Sequence, residues 1–250
     1  MNDFLKGIIV PMLTPMDNKY RIDESALRSF AQKLNNSGVH GLFASGSIGE
    51  FSTLTTEDVS QLCEIIVDEV SSSLPVLIGV GSNNTKEAIT RTKLVEEKGA
   101  DVAVAVNPFY TPLSKESLKQ HFEAVAASTE LPVLIYNIPQ FTGQEIPVEV
   151  LIDLHQKYDN IIGIKDSSGS IEYTSKVIHN TGDNFLFFQG SDSLLLPSLV
   201  LGARGGVNGT ANVEPKFVVD VYENYKKGNV EEAREIQFNK VNELVRACTI

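Results

Sequence analysis

Residues 161–170 read IIGIKDSSGS: four apolar residues, a lysine, an aspartate, then a loop of serine and glycine. Ile161, Ile162, Gly163 and Ile164 leave no polar face for water. The run therefore predicts a strand buried on both sides, as in a parallel sheet covered by helices. Lys165 fits such a strand badly, because stripping water from an ammonium is costly unless a partner or a proton loss relieves it. Taken alone, it reads better as a strand end turned to solvent or paired with Asp166 than as a functional residue.

Outward from this stretch the same grammar recurs. Apolar runs stand at 7–13 (GIIVPML), 41–45 (GLFAS), 75–81 (PVLIGVG), 101–107 (DVAVAVN), 132–137 (PVLIYN), 161–165 (IIGIK), 185–190 (FLFFQG) and 205–209 (GGVNG). Helical patterns separate them. Val59, Leu62, Cys63, Ile66 and Val70 keep helical spacing behind Thr55, with Asp58 completing a capping pattern. Leu118, Phe122, Val125 and Ala126 do the same behind Ser114, and Gly99 stops the helix that ends at Lys98. Eight strand–helix units in 250 residues predict an α/β fold, a (β/α)8 TIM barrel over residues 1–228. An open doubly wound sheet would want a glycine-rich dinucleotide turn after its first strand, and VPMLTPMDN has no glycine. GVGSNN at 79–84 is no substitute, and no Walker, HExxH or serine-elbow motif occurs. Asn229 with Glu232, then Ala233, Val241, Leu244 and Val245, signal one more helix, the start of a C-terminal helical extension over 229–250.

Hydrophobic residues make up 42% and charged residues 21%, an ordinary balance for a chain with a full core. The net charge of −11, with no basic cluster, argues against nucleic acid as a partner. Cys63 and Cys248 lie in helical patterns and form no CxxC pair, so a disulfide framework is not expected. The start, MNDFLKGIIVPMLTP, carries only a short apolar stretch broken by prolines, which fits neither a signal peptide nor a membrane span. A cytoplasmic protein with no membrane partner is expected. His40, His121, His155 and His179 are isolated and away from strand carboxyl ends, so they read as structural and no metal site is expected.

In such a barrel the carboxyl ends of the strands and the loops after them form the site, which puts Lys165 on that rim. The second strand runs into SGSIGE (45–50), either a nest of backbone N–H groups for a carboxylate, with Ser47 adding a hydroxyl, or a plain turn leading to Thr55. The fifth ends in YNIP with Tyr136, a packing or a catalytic residue. The fourth ends in NPFYTP (107–112), whose Phe109 and Tyr110 suit a lid, an interface or loop packing. A lysine, two tyrosines, a serine and a nest together suit imine chemistry on a 2-oxo acid.

GSIGE, NPFYTP, YNIPQFTG, GIKDSSG and GSDSLLLPSLVLGARGGVNGTAN resemble, in order, the class I pyruvate-dependent aldolase superfamily. That is the family of dihydrodipicolinate synthase and N-acetylneuraminate lyase. The resemblance implies that Lys165 forms a Schiff base with pyruvate, that Tyr136 is the general acid/base, and that Ser47 orients it. It implies that Tyr110 completes the relay from a neighbouring subunit of a homotetramer, a dimer of dimers, and that the backbone of Ser47 and Ile48 binds the carboxylate. No cofactor is implied. Relatives usually carry threonine where this chain has Ile48, and further helical segments after the one signalled at Asn229.

The same resemblance bears on the second substrate, a small aldehyde or, in reverse, a 2-keto-3-deoxy sugar acid. Dihydrodipicolinate synthases carry an arginine where this chain has Phe141, and losing a bidentate carboxylate contact is not conservative. Neuraminate lyases carry an acidic pair where GSDS supplies only Asp192. The pattern is closer to archaeal 2-keto-3-deoxygluconate aldolases, and Leu113 stands where some of these carry an arginine for a phosphate. Arg204 leads into the amino end of the eighth strand, and Lys115 reads as a solvated first-turn residue. The resemblance implies reversible cleavage of 2-keto-3-deoxygluconate, with Ser167, Gly190 and Asp192 on the sugar hydroxyls and little use of the phosphorylated form. The alternatives are dihydrodipicolinate synthase, N-acetylneuraminate lyase, or a regulatory relative that has lost catalysis.

Overall fold

In the computed structural model, which describes residues 4–71 and 73–248, all eight expected strands form. They are β1 (Gly7–Pro11), β2 (Gly41–Ala44), β3 (Val76–Gly79), β4 (Val102–Val106), β5 (Val133–Asn137), β6 (Ile161–Asp166), β7 (Leu186–Gln189) and β8 (Gly205–Val207). Each pairs in parallel with the next and β8 closes on β1, giving a closed barrel. The crossovers are α1 (Glu24–Asn35), α2 (Thr56–Val70), α3 (Thr85–Glu97) and α4 (Lys115–Ala126), then the short α5 (Pro139–Thr142) with α6 (Val148–Lys157). They continue with α7 (Ile171–Thr181), α8 (Leu195–Leu201) and α9 (Pro215–Lys226).

The expected caps are in place. Thr55 accepts from Asp58 N at 3.1 Å while the Asp58 carboxylate accepts from Thr55 N at 2.9 Å, and Ser114 accepts from Ser117 N. Gly99 follows α3 with φ +86°, a left-handed conformation in which glycine carries no Cβ penalty. The strands divide their side chains between two apolar layers. Ile9, Phe43, Leu77, Val104, Leu134, Phe188 and Val207 fill the barrel, while Ile8, Val10, Leu42, Ala103, Ile135 and Phe187 face the helices.

β6 breaks that alternation. Val133 of β5 pairs with Ile161, but Leu134 pairs with Gly163, so Ile162 is an extra residue. Ile161 and Ile164 accordingly both pack in the outer layer, and Ile162 packs in the inner one. A bulge of this kind re-aims every residue after it. Without it Lys165 would share the outward face of Ile161; with it, Lys165 turns into the barrel.

The C-terminal stretch is α10 (Val230–Ile236), a π-helical turn (Gln237–Val241) and α11 (Asn242–Cys248), rather than the single regular helix expected. Asn229 stands at the N-cap position, but its side chain makes no cap and donates to Asn224 Oδ1 instead. Residues 1–3 and 249–250, the outer ends of the expected barrel and extension, lie outside the described residues. No helix among the described residues is long and apolar enough to cross a membrane.

Candidate active site

Lys165 and Tyr136 are register partners on β6 and β5, and both point into the carboxyl mouth of the barrel. Lys165 is 4% exposed and Tyr136 3%. The ammonium lies over the Tyr136 ring at 3.5 Å from its centroid, with the Phe43 ring at 5.8 Å, so aromatic faces replace part of its lost hydration. Lys165 Nζ donates to Ser167 Oγ at 3.3 Å. The Tyr136 hydroxyl meets Ser47 Oγ at 3.2 Å. Burial alone would raise the Tyr136 phenol; the neighbouring Lys165 ammonium and hydrogen bonds from Lys165, Ser47 and Ser167 outweigh it and hold the phenol below its ordinary value.

These residues line one cavity of about 290 Å³, with Ile48, Phe141, Gly190 and Asp192 around it. Ser45 and Glu50 bracket the SGSIGE loop in left-handed conformations, φ 55° and 58°. Inside the bracket, the backbone N–H groups of Ser47 and Ile48 have no partner among the described residues, as a nest for an anion requires. Gly190 is a glycine for want of space, since a Cβ there would stand 2.9 Å from the backbone Asp166 O as well as 2.1 Å from Ser167 Oγ.

Not every expected residue is brought to the cavity in the expected way. The Asp192 carboxylate lines it, yet its oxygens accept from Gly209 N at 3.1 Å, Thr210 N at 2.9 Å and the Thr210 hydroxyl, tying the β7 loop to the β8 loop. Tyr110 lies outside the cavity lining, 93% exposed and with φ 78°, a strained value for a bulky residue. Leu113 is part-buried against the outer core, its backbone bonded to the Gln144 side chain, and Lys115 pairs with Glu149 on the first turn of α4. Arg204 lines a separate hollow with Lys6, His40 and Glu223, at the amino end of the barrel.

Other residues at or behind the cavity have no role there that the sequence led one to expect. Gln140 donates to Ser167 O from the short α5. Val245 of α11 reaches the mouth, and Gln237 of the π-turn donates to Asp192 O at 3.1 Å and accepts from Leu196 N. A smaller hollow of about 230 Å³ opens beside Ser47, between Phe51, Phe109, Ile138 and Phe141. Among the described residues no group of three or more His, Cys, Asp or Glu side chains gathers as a metal site would.

Residues 4–249 match the model of the dihydrodipicolinate synthetase family. A Methanopyrus kandleri protein named 4-hydroxy-tetrahydrodipicolinate synthase is 38% identical over 235 residues, covering 94% of this chain and 78% of that one. The structure of a 2-keto-3-deoxygluconate aldolase from Picrophilus torridus is similar with TM-score 0.91 and 34% identity, over 96% of this chain and 86% of that one. YagE, a prophage protein of the dihydrodipicolinic acid synthase family from E. coli K12 in complex with pyruvate, superposes with TM-score 0.91. It is 33% identical over 93% of this chain and 79% of that one.

Proposed function

The chain belongs to the dihydrodipicolinate synthetase family, and on that premise we propose that it is a Schiff-base aldolase reversibly cleaving 2-keto-3-deoxygluconate to pyruvate and glyceraldehyde. One observation carries the chemistry: a lysine amine and a tyrosine hydroxyl, both buried, share the barrel mouth with a pair of unpartnered N–H groups. The N–H groups of Ser47 and Ile48 take the substrate carboxylate. Lys165 gives up a proton and adds to the C2 carbonyl as the free amine, and that proton then leaves with the former carbonyl oxygen as water, giving a protonated imine. Tyr136, oriented by Ser47, takes the proton from the C4 hydroxyl as the C3–C4 bond breaks. The bonding pair passes into the imine, leaving an enamine, and glyceraldehyde departs. Protonation at C3 and hydrolysis then release pyruvate and the free amine.

The choice of aldehyde rests on charge. Among the described residues lining the cavity, Lys165 is the one cation, and Phe141 occupies the wall of the mouth. A carboxylate on the second substrate would meet no second cation there, whereas the hydroxyls of Ser167, Ser191 and Ser193, with Asp192, suit a polyol. Neither Leu113 nor Lys115 offers a free charge to a phosphate, which disfavours the phosphorylated sugar acid. Ile48 keeps its N–H but brings no hydroxyl, which weakens pyruvate binding. The names of the curated relatives favour a second reading, condensation of pyruvate with aspartate semialdehyde.

Two measurements decide. Pyruvate and borohydride are expected to add a lactyl mass to the peptide holding Lys165, and to leave a Lys165→Ala variant unlabelled. No adduct would mean a non-catalytic relative. Comparison of kcat/KM for pyruvate with glyceraldehyde, its 3-phosphate, aspartate semialdehyde and N-acetylmannosamine then fixes the partner. Preference for any but free glyceraldehyde overturns the substrate assignment.

A further inference from the structure

The residues that follow Tyr136 and Lys165 are also register partners, and they face the other way. Asn137 and Asp166 are both fully buried between the barrel and its helices. Asn137 Nδ2 donates to Asp166 Oδ1 at 2.7 Å. Every other polar atom of the pair is committed: Asn137 Oδ1 accepts from Ile146 N at 3.0 Å, and the Asp166 carboxylate accepts from Ser168 N at 3.2 Å and Ser168 Oγ at 2.8 Å. The backbone closes the same seam, with Ser167 N donating to Asn137 O at 2.8 Å.

We propose that Asn137 and Asp166 form a cross-strand clamp that sets the mutual position of Tyr136 and Lys165. The proposal rests on the roles given to those two residues above. The bulge at Ile162 shifts the β5–β6 register on the amino side of the pair, and the regular pairing that resumes at Leu134 and Gly163 ends on the side-chain bond between Asn137 and Asp166. Side chains alternate along a strand, so a bond between the outward residues holds the inward ones one position away. The clamp also reaches both loops that wall the site: through Ile146 the segment after β5, and through Ser168 the turn into α7, whose N-cap Ser170 donates to Ser168 Oγ. Asn137 and Asp166 touch no reacting atom. They are positioning residues.

Hydrogen-bond inventory supplies a rescue variant. Asp166→Asn keeps an acceptor toward Asn137 Nδ2 and Ser168 N, and its new amide donates to Ser168 Oγ, which accepts as readily as it donates. Asp166→Ala and Asn137→Ala break the bond. Misplacement by about 1 Å costs up to ~100-fold in rate, so both alanine variants should lose roughly 10- to 100-fold in kcat and in the rate of pyruvate trapping, with KM within about threefold. Asp166→Asn should stay within about threefold of wild type in both, because it loses a charge and no contact. A readout that needs no substrate is the alkaline difference absorbance of Tyr136, taken against Tyr136→Phe in each background. With the clamp broken, its midpoint should rise toward the ordinary tyrosine value as Lys165 moves off the ring, and Asp166→Asn should leave it in place. An Asn137→Ala protein with wild-type kcat and Tyr136 titration overturns the clamp. So does an Asp166→Asn protein as impaired as Asp166→Ala, which would assign the effect to charge. If wild type traps no pyruvate, the aldolase reading falls, and the Tyr136 titration still decides the clamp.

Discussion

Tyr136 joins three environments at one side chain: its ring supports the Lys165 ammonium, its hydroxyl meets Ser47, and its body packs at right angles to Phe43. Removing only the hydroxyl separates chemistry from packing. Tyr136→Phe is expected to cut kcat by about 10²- to 10⁴-fold, the usual worth of a positioned acid/base, with little change in melting temperature. Ser47→Ala loses one neutral hydrogen bond, about 0.5–1.5 kcal/mol, and should cost no more than roughly tenfold. Steady-state kinetics with circular dichroism as a folding control check both. A Tyr136→Phe protein with wild-type turnover would remove Tyr136 from the proton path.

At the scale of elements, the β6 strand is what brings the site together, and glycine makes it possible. A Cβ on Gly163 would stand 2.1 Å from Leu186 O, so β6 can lie this close to β7 only where one residue lacks a side chain. Gly163 is also the first residue after the bulge, where the new register with Leu134 begins. Gly163→Ala should therefore cost about 1–3 kcal/mol by overpacking, a fall in Tm of roughly 2–4 °C for each kcal/mol at this size. It should also slow pyruvate trapping, because the strand carrying Lys165 must shift. A thermal melt and the trapping rate test it together, and an alanine variant unchanged in both would show that β6 tolerates displacement.

Over the whole molecule, charged pairs stitch neighbouring helices at the surface, as Lys98 with Glu64, Lys119 with Asp153 and Lys157 with Glu123 do. Exposed pairs of this kind contribute little each. A buried histidine matters more for stability against pH. Burial holds His121 down to about 4 from an ordinary 6.5; its Nδ1 meets Thr85 Oγ1 at 2.9 Å and its Nε2 has no partner among the described residues. The unfolded chain therefore binds the proton more readily, so stability is full above pH 6.5 and declines as pH falls toward 4, by about 3 kcal/mol at most. Denaturant melts of wild type and His121→Gln across that window should converge in the acid, and parallel curves would show that His121 is not buried neutral. We propose that Tyr110, exposed and next in sequence to Phe109 of the apolar hollow at Ser47, acts in trans within a dimer that pairs into a tetramer. Mixed Lys165→Ala and Tyr110→Phe proteins should then regain activity after subunit exchange. An active monomer in light scattering would end that role.

The short-range features were legible in the chain alone. Apolar runs fall within a few residues of all eight strands, Thr55 with Asp58 and Ser114 cap the helices they were expected to cap, and Lys165, Tyr136 and Ser47 all stand at carboxyl ends that the alternation places on one rim. Such signals depend on residues three or four apart, or on strict strand alternation, and so survive in sequence. What lay beyond reach needed contacts between distant segments. The extra residue at Ile162 is set by how β6 pairs with β5 and crowds β7, and it alone turns Lys165 inward. Likewise Asp192 is claimed by N–H groups 17 and 18 residues away, Gln237 of the π-turn donates to Asp192 O, and Val245 of α11 lines the mouth. Sequence periodicity sets which residues reach the rim; cross-strand register and packing decide which way they face and what they touch there.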